Sequence, residues 1–198
     1  MQVFADIAVV PTSEMYCSAM YARGGPVWPD FERQTVARHV FDGAPVDLPA
    51  EAVDAPHLRI DRPCVWGGYA RPQFGHFVAE YATRLPLSVR ERPDDLYLFT
   101  LHADKTAETV PEFFWAVLEW YGIARHQVVF VDRPLRATTL RVAPQGEHLR
   151  QGAPDPGYLD LLDRNTARNA LQPVATDLLY VSREKLLQRG LGGHAGGG

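Results

Sequence analysis

Three observations make the fold class of this sequence α/β, with a Rossmann-like, doubly wound and mainly parallel sheet. Apolar runs of buried-strand length begin at Pro63, Leu96 and Gln127. Two segments of helical spacing alternate with them, one carrying Phe74, Phe77, Val78, Tyr81 and Leu85, the other Phe113, Phe114, Val117, Leu118 and Tyr121. The resulting β-α-β-α-β order calls for right-handed crossovers into a parallel sheet.

The bulk properties suit that class. A chain of 198 residues holds one sizeable core and is short for two complete domains. Its 46% hydrophobic and 22% charged residues are those of an ordinary globular protein. A formal net charge of -4 argues against nucleic acid as a partner, because polyanion binding needs clustered Lys and Arg. No apolar run approaches the roughly 20 residues of a transmembrane helix, and MQVFADIAVV has neither a basic leader nor a cleavage site. The expected address is the cytoplasm. Cys17 and Cys64 belong to no metal or redox motif and read as reduced, partly buried thiols.

Taken in order, Val3 to Val10 reads as a first strand ended by Pro11. Gly24-Gly25-Pro26 and Pro29 break the next segment into an irregular arm, although it carries Tyr16, Tyr21 and Trp28. Thr35 to Phe41 can form another strand, and Asp42 to Pro56 reads as a surface connection. No residue before 60 stands out for chemistry. The run from Pro63 breaks at Gly67-Gly68 and feeds the first helix, which Pro86 should kink or end. Asp94-Asp95 marks a turn before the strand Leu96 to Leu101. Thr109 and Glu112 form a capping-box candidate with Pro111 in the first turn, and Gly122 supplies the stop.

Gln127 to Asp132 is the third buried strand and Ala137 to Val142 a further one. Pro144 to Gly157 reads as a loop, followed by a helix through about Ala170 with Asp155 as cap and Pro156 at its first position. Asp177 to Ser182 is the last strand, and Gly190 to Gly198 has almost nothing to bury. Three regions follow: strands and an arm over 1–62, the α/β core over 63–176, and over 177–198 the start of a second lobe with a flexible glycine-rich tail.

On the polar side of the first helix, His76, Glu80 and Arg84 recur at intervals of four, so an imidazole, a carboxylate and a guanidinium share one strip. An imidazole and a carboxylate at this spacing can act as a base and its orienting partner, and the sequence allows either His76 or Glu80 to be the base. Arg84 can pair with Glu80 or hold an anionic group. His76 and Glu80 also have the spacing of two metal ligands, but no HExxH or neighbouring ligand pair accompanies them, and no metal is expected.

Phe74-Gly75-His76-Phe77, with Glu80 and Arg84-Leu85, resembles the N-terminal signature of the family 61 glycosyltransferases, which include capsular-polysaccharide enzymes. Leu179-Tyr180-Val181-Ser182-Arg183 resembles the strand ending in Ser-Arg where that family's second half begins, and Gly190 to His194 fits some bacterial members. The resemblance implies the N-terminal lobe of a GT-B enzyme. It further implies inverting transfer of a sugar from a nucleotide-sugar to a glycan hydroxyl, with His76 and Glu80 catalytic, Arg84 in substrate binding, and Ser182-Arg183 near the donor diphosphate. The nucleotide-sugar is then a co-substrate and no cofactor is needed. The family continues past the Ser-Arg block into a whole donor lobe, so the expected states are a truncated transferase or one half of a split enzyme completed by a second chain. The expectation from a different class is a non-catalytic module that binds glycans through aromatics such as Trp28 or Trp66.

Overall fold

Two strands buried at every position, Cys64–Tyr69 and Leu96–Thr100, run side by side at the centre of the fold. The computed structural model describes residues 1–16, 21–41, 43–51, 58–102, 104–148, 154 and 156–170. In chain order the strands are β1 (Gln2–Tyr16), β2 (Tyr21–Pro26), β3 (Val40–Phe41), β4 (Ala44–Pro45), β5 (Leu58–Ile60), β6 (Cys64–Tyr69), β7 (Leu96–Thr100), β8 (Val128–Val131) and β9 (Leu135–Val142). The α-helices are α1 (Phe74–His76), α2 (Leu85–Glu91), α3 (Glu112–Trp120) and α4 (Pro156–Arg168).

The protein is α/β with a mixed, mostly parallel sheet. Among the described residues seven strands form it, in the order β2-β1-β9-β6-β7-β8, with β5 also beside β9. β5 and β6 are parallel to β9, and β6, β7 and β8 are parallel to one another; β1 is antiparallel to both β2 and β9. The three expected strands and the strand at 137–142 are all present.

Alternation along β6 and β7 divides the core in two. Val65, Tyr69, Tyr97 and Phe99 face Phe77, Tyr81, Leu85, Phe114 and Leu118, so the helices pack on this side. Cys64, Trp66, Leu96 and Leu98 face Ile7, Val9, Trp28, Leu135 and Leu140, a side to which no described helix contributes. Phe77, Phe99 and Phe114 are fully buried with ring centroids 4.9 and 5.0 Å apart for the pairs that involve Phe114. Each such side chain stabilises the fold by roughly 1.5–3 kcal/mol through burial.

Several breaker residues do not break. Pro11 lies inside β1, at a register shift between Val10 and Glu14 where no ladder N–H is required of it. Beyond it, β1 reaches over the end of β7, where Thr12 N–H donates to Leu101 O at 2.8 Å. Gly24, Gly25 and Pro26 belong to β2, so the expected arm is half of a hairpin, and Trp28 is core. Only Val40–Phe41 of the strand expected over 35–41 forms, because the preceding residues turn, with Arg38 N–H on Gln34 O. The expected connection after it contributes β4 as the partner of β3. Gly67-Gly68 continues β6 through a bulge instead of ending it. Thr109 is no helix cap: its hydroxyl donates to Thr106 O, and Pro111 takes the cap position of α3.

The stop at Gly122 holds. Gly122 N–H donates to Glu119 O and Ile123 N–H to Leu118 O, with Gly122 at φ +79, the paired bonds of a Schellman ending. Gly122→Ala is expected to cost about 1–2 kcal/mol in urea unfolding because a Cβ resists this conformation. A Cβ there also meets the Arg168 guanidinium at 2.5 Å, so the comparison is made in an Arg168→Ala background, where Gly122→Asn should recover part of the loss and equal losses for the two would refute the backbone explanation.

Cys64 is a free, buried thiol, pushed up to about 12 chiefly by burial and then by Asp95. Cys17 lies outside the described residues, as do Asp155, the strand expected at 177–182 and the glycine-rich tail. Among the described residues no helix is long and apolar enough to cross a membrane.

Candidate functional site

The helix after β6 does not keep one period. From Phe74 to Glu91 it passes from α1 through a π turn at Phe77–Tyr81 and a 3-10 turn at Ala82–Arg84 into α2. Ala82 N–H reaches back to Phe77 O, and Leu85 N–H takes Ala82 O, the acceptor that Pro86 cannot serve. Thr83 O accepts from Gly146 N–H at 3.2 Å. The helix therefore runs through Pro86 with the exposed carbonyls satisfied from outside.

His76 and Glu80 do meet. His76 Nδ1 hydrogen-bonds Glu80 Oε1, while the other carboxylate oxygen, Oε2, lies 3.2 Å from Nε2 of His39. His39 comes from the segment before β3, where nothing in the sequence marks it for chemistry. Two contacts hold it there. Its ring stacks on Tyr81 at 4.4 Å and 6°, and Gln145 clamps the next residue to the helix. The Gln145 side chain accepts from Val40 N–H at 2.6 Å and donates to Val40 O and Glu80 O. His39 and Gln145 are thus the residues that sequence reasoning missed, joined to Glu80 across 41 and 65 positions.

Exposure separates the three roles. Glu80 is 3% exposed, His39 11% and His76 35%. Burial, the largest single influence on Glu80, acts to raise its pKa, but hydrogen bonds and charge from His39 and His76 together hold it below the ordinary carboxylate range. An ionised carboxylate only accepts, so each imidazole nitrogen facing it carries the hydrogen. In its neutral form such an imidazole has its lone pair on the nitrogen away from Glu80, Nε2 for His76 and Nδ1 for His39. With both oxygens engaged inside the protein, Glu80 is built to orient, and His76 is the member that solvent can reach. The pair follows the carboxyl end of β6 within a parallel array, where α/β sheets receive ligands.

Arg84 is not on this strip. The π turn shifts it away, and its guanidinium, 2% exposed, donates to the carbonyls of Ala37, Arg38 and Ala143 at 3.4, 3.4 and 3.0 Å. Of the two readings open in the sequence, the ion pair with Glu80 does not form, and the guanidinium proposed for substrate binding is engaged as a structural tie, with burial pulling Arg84 down to about 10. Trp28 and Trp66 are also buried, at 7% and 8% exposure, so neither is a surface platform for glycans. Ser182 and Arg183 lie outside the described residues. Among the described residues no group of three His, Cys, Asp or Glu is placed to hold a metal ion.

Compared with known protein families, curated proteins and solved structures, the chain matches none.

Proposed function

We propose that this chain is the acceptor-side lobe of an inverting glycosyltransferase resembling family 61, with the Rossmann-like lobe of a GT-B enzyme as its parent architecture. One observation carries the reading: a buried carboxylate held ionised between two imidazoles, one of which presents a free nitrogen to solvent near the carboxyl end of a parallel strand. Between the two bases that the sequence left open, this arrangement favours His76.

In the proposed step His76 Nε2 takes the proton of an acceptor hydroxyl as its oxygen attacks the anomeric carbon of the donor sugar. The bond from that carbon to the phosphate oxygen breaks, and the nucleoside diphosphate leaves with the electron pair. Glu80 keeps the imidazole in the productive tautomer and stabilises the imidazolium that forms. Ser182 and Arg183 hold the donor diphosphate, in the place the resemblance assigns them. The remaining donor contacts come from a further lobe or a second chain.

The test is calorimetric titration of the chain with UDP and a panel of nucleotide-sugars, followed by transfer assays on oligosaccharide acceptors. Arg183→Ala should weaken donor binding at least about tenfold, by loss of a charged hydrogen bond. His76→Gln should leave donor binding unchanged and slow transfer by about 10²–10⁴-fold. A folded chain that binds neither nucleotide-sugars nor oligosaccharide acceptors, or a His76→Gln variant as fast as wild type, would sink the proposal.

A further inference from the structure

β8 lies at one end of the sheet, and among the described residues only β7 pairs with it. Its composition is that of an interior strand. Val128 and Phe130 pack toward the helix side of the core, Val129 and Val131 toward the other, so the strand is apolar on both faces. It carries no charge, proline or glycine. An apolar edge with an open ladder invites pairing, and proteins either blunt such an edge or cover it. The opposite edge is blunted, since β2 holds Arg23, Gly24, Gly25 and Pro26. β8 has none of these devices, which leaves cover.

The chain itself is led to this edge. Leu162 of α4 packs on the same side of the core as α3, and Arg168 Nη2 and Asn169 Nδ2 donate to Trp120 O at 2.6 and 2.9 Å. The described chain therefore ends, at Ala170, against the last residues of α3, from which Gly122 to Gln127 lead into the start of β8. After six more residues begins Asp177-Leu178-Leu179-Tyr180-Val181-Ser182, an apolar run of strand length, and six extended residues reach about 20 Å. Handedness points the same way. From β6 to β7 and from β7 to β8 the chain moves one place along the sheet over the helix side. A strand beyond β8 makes the path from β9 through α4 a third crossover of that same hand. Beside α3 and the turn into β8 lies an open groove of about 360 Å³, lined by Trp115, Ile123 and Arg125, where Trp115 already meets Phe130 at 5.6 Å. An added strand supplies a side chain to fill it.

We propose that the open edge of β8 is the docking surface for residues 177–182 of the same chain, which add a further parallel strand and complete this sheet instead of opening a second lobe. A strand parallel to β8 brings its carboxyl end, with Ser182 and Arg183, to the end of the sheet from which the helix carrying His76 starts. The purpose of that placement rests on the transferase reading: the base and the residues for the donor diphosphate then share one rim. The docking itself does not rest on it.

Nuclear Overhauser contacts and hydrogen exchange in the full chain test the docking. Backbone contacts between 128–131 and 177–182 are expected within one chain, so in a mixture of isotope-labelled and unlabelled protein none should join a labelled strand to an unlabelled one. The β8 amides that point away from β7 should exchange at least about 100-fold more slowly than in an unstructured peptide. Successive residues of a strand direct their N–H groups to opposite sides, so one of Tyr180→Pro and Val181→Pro removes a bond to β8 and should return those amides to fast exchange. His194→Pro, in the glycine-rich tail, should leave them as they are. Absence of the contacts, contacts between chains only, fast exchange in the wild-type protein, or wild-type protection in both of the first two variants would each overturn the proposal. None of these readouts uses a nucleotide-sugar, so failure of the docking and failure of the transferase reading are told apart.

Discussion

Glu80→Ala is expected to destabilise the protein by about 2–4 kcal/mol and to remove most of any activity that depends on His76. The side chain is buried, and its loss leaves a cavity and strands the N–H of the largely buried His39, at about 1–3 kcal/mol, while His76, which solvent reaches, loses its orienting partner. Glu80→Gln separates orientation from packing. Its amide keeps the volume but offers one acceptor and one donor end, so one histidine retains its partner while the other must change tautomer or turn away. Activity should fall nearly as far as in Glu80→Ala, while the stability loss should be about half as large.

The pH dependence follows in sign from the same pair. Glu80 is held below its ordinary pKa in the folded state, so its contribution is fully present above the unfolded value of about 4.3 and is lost as pH falls through the folded value. The stability gap between wild type and Glu80→Gln, measured by urea unfolding, should be widest near neutral pH and should close as the solution becomes strongly acidic. A gap that stays constant from neutral to acid would mean that Glu80 is held by packing and not by its charge.

What could be read from the sequence depended on range. β7 and β8 are continuous apolar runs, and the end of α3 is set by one glycine, so local pattern suffices for all three. His76 and Glu80 were legible for the same reason, being one helical turn apart. Arg84 was misplaced because a fixed helical period was carried across a π turn, and no spacing rule records an inserted residue. His39 and Gln145 were invisible because their link to Glu80 exists only after the sheet has assembled. Pro11 and Pro86 mislead for a shared reason. A proline ends an element only when the missing N–H is needed, and at a bulge or a 3-10 turn it is not.

Gly67→Ala is expected to cost about 3 kcal/mol, near the top of the range for overpacking a core by one methyl. A Cβ built at Gly67 falls 2.5 Å from Cε1 of Phe99 and 2.8 Å from its Cε2, too close for any real contact. Phe99 has little room to give way, since it is fully buried with Phe114 edge-on at 5.0 Å and Phe77 at 6.4 Å. The decisive variant is therefore the double one. Phe99→Leu should be destabilising alone yet should make Gly67→Ala much better tolerated, with a coupling of about 1–3 kcal/mol in a double-mutant cycle. If Gly67 instead ended the strand, as the glycine pair suggests when read alone, the alanine would sit in a loop, cost less than about 0.5 kcal/mol and show no coupling to Phe99. The cycle thus reports whether β6 runs on to Tyr69, and with it whether the helix that presents His76 starts from the ligand-receiving end of the sheet.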